Sequence, residues 1–220
     1  MTILCIETST SVCSAAICKD GEPISQCICR EGSNHARLLP RYIQQLLTEA
    51  RQQGLTIEAV ALSEGPGSYT GLRIGSSTAK GLCYGLSIPL IPVPTLEVLK
   101  IASGVKEGVL IPMIDARRME VYTMIDGETK AVVVDNEESL YTGDQTVYYF
   151  GDGAEKCFKV ITKPNWHYVP DIVPEAQYVG AWAEAKAAKG EGLKANEIAY
   201  YEPYYLKEFI AAPSHVKGLV

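Results

Sequence analysis

Apolar positions along the chain alternate between two periods. Ile3-Leu-Cys-Ile6 is an unbroken apolar run closed by Glu7, as expected of a strand buried on both faces. Val12 to Cys18 and Pro23 to Arg30 flank Lys19-Asp-Gly21, and Asp-Gly between two strand-like runs predicts a tight hairpin. From Asn34 to Gln53 the repeat lengthens. Leu38, Leu39, Tyr42, Ile43, Leu46, Leu47 and Ala50 then fall three and four residues apart, on one side of a helix. Ser33 or Asn34 is placed to cap that helix and Gly54 to end it. Ala59-Val-Ala-Leu62 predicts another buried strand and Ile88 to Val93 a further one, with a helix beginning near Thr95.

Between those two strands runs the stretch richest in small residues, Ser63-Glu-Gly-Pro-Gly-Ser-Tyr-Thr-Gly-Leu-Arg-Ile-Gly-Ser-Ser-Thr-Ala-Lys-Gly-Leu-Cys-Tyr-Gly85. Gly65-Pro66-Gly67 predicts a turn, because glycine supplies backbone angles that other residues avoid and proline fixes φ. Ser68 or Thr70 can then cap a helix by accepting from the open amides of its first turn. Gly71, Gly75 and Ala79 recur every four residues, and Gly81 and Gly85 repeat the spacing. An interior glycine costs a helix about 1 kcal/mol against alanine. So many of them imply that something packs unusually close. A P-loop phosphate does not fit, since Leu72 follows Gly71 where Lys-Ser/Thr would be needed. A dinucleotide fits no better: the glycine spacing is one residue too long, and Leu90-Ile-Pro-Val93 ends in no acid for a ribose. The remaining candidates are the lobe's own sheet and a helix of another subunit.

The second half starts the pattern again. Val109-Leu-Ile-Pro-Met-Ile114 is an apolar strand ending in Asp115, and Glu120 to Ile125 and Thr129 to Asp135 flank a second Asp-Gly turn at Asp126-Gly127. Strand, acid and hairpin, twice in one chain, predict an internal duplication. Val147-Tyr-Tyr-Phe150 adds a strand, Gly151-Asp-Gly153 a turn, and Ala176 to Lys189 a helix. The tyrosine-rich tail from Tyr200 to Phe209 is expected to cover apolar surface. The expected fold is α/β: an actin-like (ASKHA) pair of duplicated βββαβα lobes with mixed sheets, one spanning residues 1–105 and a smaller one 106–220. In that group the acid ending the first strand of a lobe coordinates the metal of bound ATP, which makes Glu7, Thr8 and Asp115 candidate nucleotide-binding residues. Against this, Glu7 stands where an aspartate is usual, and no glycine lies between it and the hairpin. A plain strand-end acid, solvated or capping, is the simpler expectation for Glu7.

Composition narrows the chemistry. A net charge of −6 argues against tight independent binding to nucleic acid, which calls for a basic stripe. The seven cysteines include no Cys-x-x-Cys pair, and Cys5, Cys13, Cys18, Cys27 and Cys29 fall in strand-like runs, where a free thiol acts as a small hydrophobe. That usage suits a reducing cytoplasm. Met1-Thr2-Ile3 has no basic start of a signal peptide, and no apolar run is long enough for a membrane span.

Several segments agree on one family. Ile6-Glu-Thr-Ser-Thr10, the His35 helix with Leu38-Leu-Pro40, the string from Gly65 to Gly75, Ala79-Lys-Gly-Leu82 and Asp115-Ala-Arg-Arg-Met-Glu-Val-Tyr122 resemble the bacterial TsaB (YeaZ) proteins. Gly151-Asp-Gly-Ala154 and Pro203-Tyr-Tyr-Leu206 are fainter echoes. The resemblance implies a place in the machinery that puts threonylcarbamoyl on an adenosine beside the tRNA anticodon. It implies a non-catalytic paralogue of TsaD, the catalytic subunit with a metal-binding His-x-x-x-His pair. Such a paralogue binds TsaD through the first two helices of its N-terminal lobe, with TsaE joining as an ATPase. It meets tRNA only through the complex, and it can form homodimers through the same face when alone.

The residues themselves agree on the missing metal pair. His35, His167 and His215 are the only histidines, and the residue one turn after His35 is Leu39. No serine stands in a recognisable triad, and no catalytic residue, metal ligand or resident cofactor is expected. The expected partner face comprises His35, Leu39, Tyr42, Ile43 and Leu46 on the first helix with Tyr69, Gly71, Leu72, Gly75 and Ala79 on the second. Arg73 and Lys80 are candidate rim contacts, and Arg117 and Arg118 are candidates for a phosphate or an ordinary ion pair. The competing expectation is an enzyme: an ATP-binding phosphotransferase or ATPase of the actin-like group, with nucleotide near Glu7, Thr8 and Asp115.

Overall fold

A computed structural model describes residues 1–32 and 34–207 of the chain. The expectations for Ser33, Phe209 and His215 lie outside the described residues.

The first half builds a five-stranded mixed sheet in the order β3-β2-β1-β4-β5. Its strands are β1 (Thr2–Glu7), β2 (Cys13–Lys19), β3 (Glu22–Cys29), β4 (Ala59–Gly65) and β5 (Leu90–Pro94). β1 runs antiparallel to β2 and parallel to β4. The hairpin closes through Asp20 and Gly21 at φ 52° and 84°, the paired positive angles of the turn whose twist matches its strands. Successive side chains of a strand point to opposite faces. Leu4, Ile6, Ala15, Ile17, Val60 and Leu62 accordingly share one apolar layer, while Ile3, Cys5, Ala16, Cys18, Ala59 and Ala61 share the other.

Helix α1 (His35–Gln52) and helix α2 (Tyr69–Leu86) cover the first layer, with Leu39, Ile43, Leu46, Ala50, Ala79 and Cys83 as the buried contacts. Asn34 stands at the start of α1 but makes no side-chain capping bond, so the capping expectation fails there. Gly54 takes φ 68° just past the end of α1, as expected of a helix stop.

The second half builds another five-stranded mixed sheet, β10-β9-β6-β7-β8, from β6 (Val109–Asp115), β7 (Glu120–Ile125), β8 (Glu128–Val133), β9 (Val147–Phe150) and β10 (Trp166–Val169). Reading outward from β1 and from β6, the two sheets have the same connectivity. Asp126 and Gly127 repeat the hairpin turn at φ 51° and 80°. The repeat is one of strands more than helices. Single 3-10 turns, Glu137–Ser139 and Glu155–Cys157, occupy the positions that α1 and α2 hold in the first half.

Helices cross between the halves. Helix α3 (Thr95–Ser103) follows β5 but puts Leu96 and Leu99 against Ile114, Met124 and Phe150 of the second half. Helix α4 (Ala176–Ala188) follows β10 but packs Ala176, Val179 and Ala183 on the second layer of the first sheet. Gly180 allows this, because a Cβ there would come within 3.0 Å of both the Sγ and the Cβ of Cys18. These packings cross the division expected at residues 105 and 106. The second lobe does not run on to the end of the chain, since the first sheet needs α4 to cover its other face. A short helix α5 (Ala195–Ile198) and the segment after it stay with the first half, where Ile198 and Tyr201 pack against its core and Leu193 pairs with Leu90.

Candidate partner face and interlobe cleft

The glycines of α2 have specific neighbours. Ser68 accepts from the Gly71 N–H (3.3 Å) and so caps the helix, as expected. The Ser68 N–H donates to the Ser9 carbonyl (2.6 Å), and the Thr8 hydroxyl donates to the Gly71 carbonyl (2.8 Å). A Cβ at Gly67, Gly71 or Gly75 would come within 3.0 Å of Ser9 or Thr8 atoms. Glycine is needed there so that α2 can lie directly on the turn leaving β1. Ala79 and Leu72 are buried along the same side.

Most of the expected partner face is buried within the chain. Gly71, Leu72, Gly75 and Ala79 face their own lobe, as do Leu39, Ile43 and Leu46, all buried. His35 is buried as well, its Nε2 lying 3.1 Å from the Val12 carbonyl oxygen. Of the expected set, Tyr42 and Tyr69 keep part of their surface open. Lys80 is not a rim contact: its ammonium donates to the Ala199 and Tyr201 carbonyls (2.9 and 3.0 Å), holding the segment after α5 along α2. Arg73 is exposed and stacks over the Tyr69 ring at 4.8 Å.

A second row of small residues points the other way. Ser77, Gly81 and Gly85 are exposed, and a Cβ at Gly81 or Gly85 would have no neighbour within 4 Å. Beside them Tyr84 is 88% exposed. Successive helix residues turn by about 100°, which sets positions 79 and 81 on opposite sides. The even spacing in the sequence therefore joins two different faces.

Glu7 is neither a solvated acid nor open to a ligand. It is 0% exposed, and its Oε1 accepts from the Ser9 N–H (2.6 Å) and the Ser9 hydroxyl (2.5 Å) while its Oε2 accepts from the Ser63 hydroxyl. Burial raises its pKa above the ordinary carboxyl value, against the lowering effect of those hydroxyl and amide donors. Thr8 is buried, with its hydroxyl donated to α2. These two residues tie β1 to α2 and β4.

Asp115, the third candidate, lies at the surface. Its Oδ1 accepts from the Arg117 N–H (2.9 Å) and pairs with Lys156. Its own N–H donates to Asp152 Oδ1 (3.0 Å). Burial raises the Asp152 carboxyl, against the lowering effect of the Asp115 N–H, and the Asp115 charge adds to the rise. The Asp152 charge is also the last of the effects that raise Glu7. Asp152 and Lys156 were missed in the sequence, although the Gly151-Asp-Gly153 turn marked the place. Arg117 and Arg118 are exposed at φ 73° and 52°, and no ion pair to either is seen among the described residues.

The chain has the two-sheet architecture of the actin-like fold, shared with the activator of the 2-hydroxyisocaproyl-CoA dehydratase from Clostridium difficile, solved with bound ADPNP (TM-score 0.51, 10% identity, 87% of this chain and 97% of that one). The family model for TsaD, tRNA N6-adenosine threonylcarbamoyltransferase, matches residues 31–145, just over half of the 220 residues. YeaZ from Pseudomonas aeruginosa superposes with a TM-score of 0.72 at 29% identity, covering 93% of this chain and 99% of that one. The tRNA threonylcarbamoyladenosine biosynthesis protein TsaB of Escherichia coli K12 is 40% identical over 96 residues, 44% of this chain and 41% of that protein. The chain belongs to the family that the TsaD model describes, and within it is similar to the TsaB and YeaZ proteins. The alignments span 41–43% of the length of these curated TsaB relatives. Among the described residues, no helix is long and apolar enough to cross a membrane.

Proposed function

We propose that the chain is a non-catalytic partner subunit that binds and supports a TsaD-like catalytic subunit as it forms threonylcarbamoyladenosine in tRNA. The observation carrying this reading is the outer face of α2. Ser77, Gly81 and Gly85 form a shallow open row beside the protruding Tyr84, and α1 lies alongside with Tyr42 part-exposed. A helix from another subunit can approach such a row closely, with Tyr84 as an aromatic anchor of the kind that dominates interface energies. Arg73 and Tyr69 extend the face toward the start of α2. The sealed Glu7 also supports a supporting role over nucleotide chemistry, since its carboxylate holds Ser9 and Ser63 in place.

In this reading a TsaE-like ATPase joins the pair, and tRNA is reached through the complex, consistent with the −6 charge. Without its partner the chain pairs with itself through the same face. The cytoplasm is where this work takes place. The test mixes the purified chain with its cognate TsaD-like subunit. Co-elution as a heterodimer, with tRNA modification above that of the catalytic subunit alone, is the expected result. Absence of both association and stimulation would refute the reading.

A further inference from the structure

The described cysteines are all free, and two of them stand in a special relation. Cys13 opens β2 and Cys29 closes β3, and the two are directly opposed in the antiparallel register. Directly opposed residues of an antiparallel pair have Cα atoms about 4.5–5.5 Å apart. A disulfide needs about 4.4–6.8 Å. The diagonal pair Cys13 and Cys27 is set further apart, at roughly 7–8 Å, outside that range. The opposed pair also sits at the open end of its hairpin, where one terminal pair can adjust without dragging a ladder on both sides.

Access differs between the two thiols. Cys13 is 1% exposed, whereas Cys29 is part-exposed on β3, the edge strand of its sheet. The other cysteines lack this combination. Cys5 and Cys18 are sealed beneath α4, while Cys83 and Cys157 are buried. An accessible thiol next to a second thiol that can resolve it is an arrangement often found at redox-sensor cysteines.

We propose that Cys13 and Cys29 form a redox-modification site whose substrate is a low-molecular-weight disulfide such as oxidised glutathione. The Cys29 thiolate attacks one sulfur of that disulfide, giving a mixed disulfide at Cys29 and releasing one thiolate. The Cys13 thiolate then attacks the Cys29 sulfur, forming the cross-strand bond and releasing the second. The protein dithiol loses two electrons and two protons, and the small disulfide becomes two thiols. Burial, and then the adjacent Cys29, push the Cys13 thiol up to about 11, which assigns it the second and slower attack. Burial, and then Cys29, Cys13 and Cys27, raise the neighbouring Tyr42 phenol, so the thiols gather beneath the middle of α1.

The test treats the full reduced chain with oxidised glutathione at neutral pH, blocks free thiols, and maps peptides by mass spectrometry. Wild type is expected to give a Cys13–Cys29 cross-linked peptide, lighter by two hydrogens than the reduced pair. Cys13→Ser is expected to stop at a glutathione adduct on Cys29. Cys29→Ser is expected to lose the cross-link and leave Cys13 unmodified. Circular dichroism of each reduced variant, with the alanine variant at the same position in place of any serine variant that misfolds, keeps the comparison among folded proteins. A persistent adduct at Cys29 in wild type, a cross-link through Cys27 in its place, or no reaction at Cys29 would overturn the proposal.

Discussion

The Thr8 hydroxyl donates to the Gly71 carbonyl across 2.8 Å, and Gly71 lies so close to the Thr8 carbonyl that no side chain fits between them. This pair joins the end of β1 to the first turn of α2 and explains why small residues recur on the inner side of that helix. Gly71→Ala and Gly75→Ala are expected to destabilise the fold by roughly 1–3 kcal/mol, the usual scale of overpacking. Gly81→Ala is expected to raise stability by about 0.5–1 kcal/mol, since open space surrounds Gly81 and alanine favours a helix. Urea midpoints of the three variants measure this. Equal shifts at Gly75 and Gly81 would contradict the assignment of faces.

Glu7 predicts a pH dependence with a definite sign. Its folded pKa lies above the value of 4.5 assigned to a free carboxyl, with burial as the main cause. The folded chain therefore holds this proton more tightly than the unfolded chain. Its contribution to stability falls as pH rises from about 4.5 through the raised value. Glu7→Gln removes that slope, and its amide can still accept from Ser9 and donate to Ser63. Denaturant midpoints between about pH 4 and 8 should fall more steeply with rising pH in wild type than in the variant. Parallel curves would show that Glu7 carries no such linkage.

Gly180 predicts how firmly α4 belongs to the first half. Gly180→Ala places a methyl against Cys18, and the helix must lift from the sheet that it covers. A loss of roughly 1–3 kcal/mol is expected, with faster hydrogen exchange in β1 and β2, whose second layer α4 shields. Exchange that speeds up only in the second sheet would mean that α4 belongs with that sheet instead.

The hairpins and the first sheet were legible because their signals are local. Asp20-Gly21 and Asp126-Gly127 adopt the positive φ angles that their residue types favour, and the apolar runs of β1 and β4 are buried on both faces. What stayed hidden depends on contacts far apart in sequence. The α4 segment is alanine-rich all round, so nothing in its pattern says that the second layer of the first sheet lies beneath it. Trp166-His-Tyr-Val169 is too short to announce β10, and the 3-10 turns leave no helical repeat to find. The same limit affected the candidate site. Spacing identified α2 as a helix built for close contact, yet only the fold separates Gly71 and Gly75, pressed on Thr8, from Gly81 and Gly85, facing outward. Glu7 was visible as a strand-end acid, while Ser63, its partner, lies 56 residues away.

The outer face of α2 carries the functional account and can be altered without touching the core. Gly81→Leu and Gly85→Leu are expected to leave circular dichroism and urea midpoints near wild type, because neither site has a neighbour to displace. Both are expected to weaken binding to the TsaD-like subunit at least about tenfold, a change of roughly 1.4 kcal/mol. Tyr84→Ala should act in the same direction by removing an exposed aromatic anchor.

The most direct measurement is the affinity of the TsaD-like subunit for wild type and for Gly81→Leu, read beside threonylcarbamoyladenosine formation in tRNA by the same mixtures. The account predicts that wild type binds and raises product formation, and that folded Gly81→Leu loses both together. A Gly81→Leu variant that binds and stimulates like wild type, or a wild type that does neither, would contradict it.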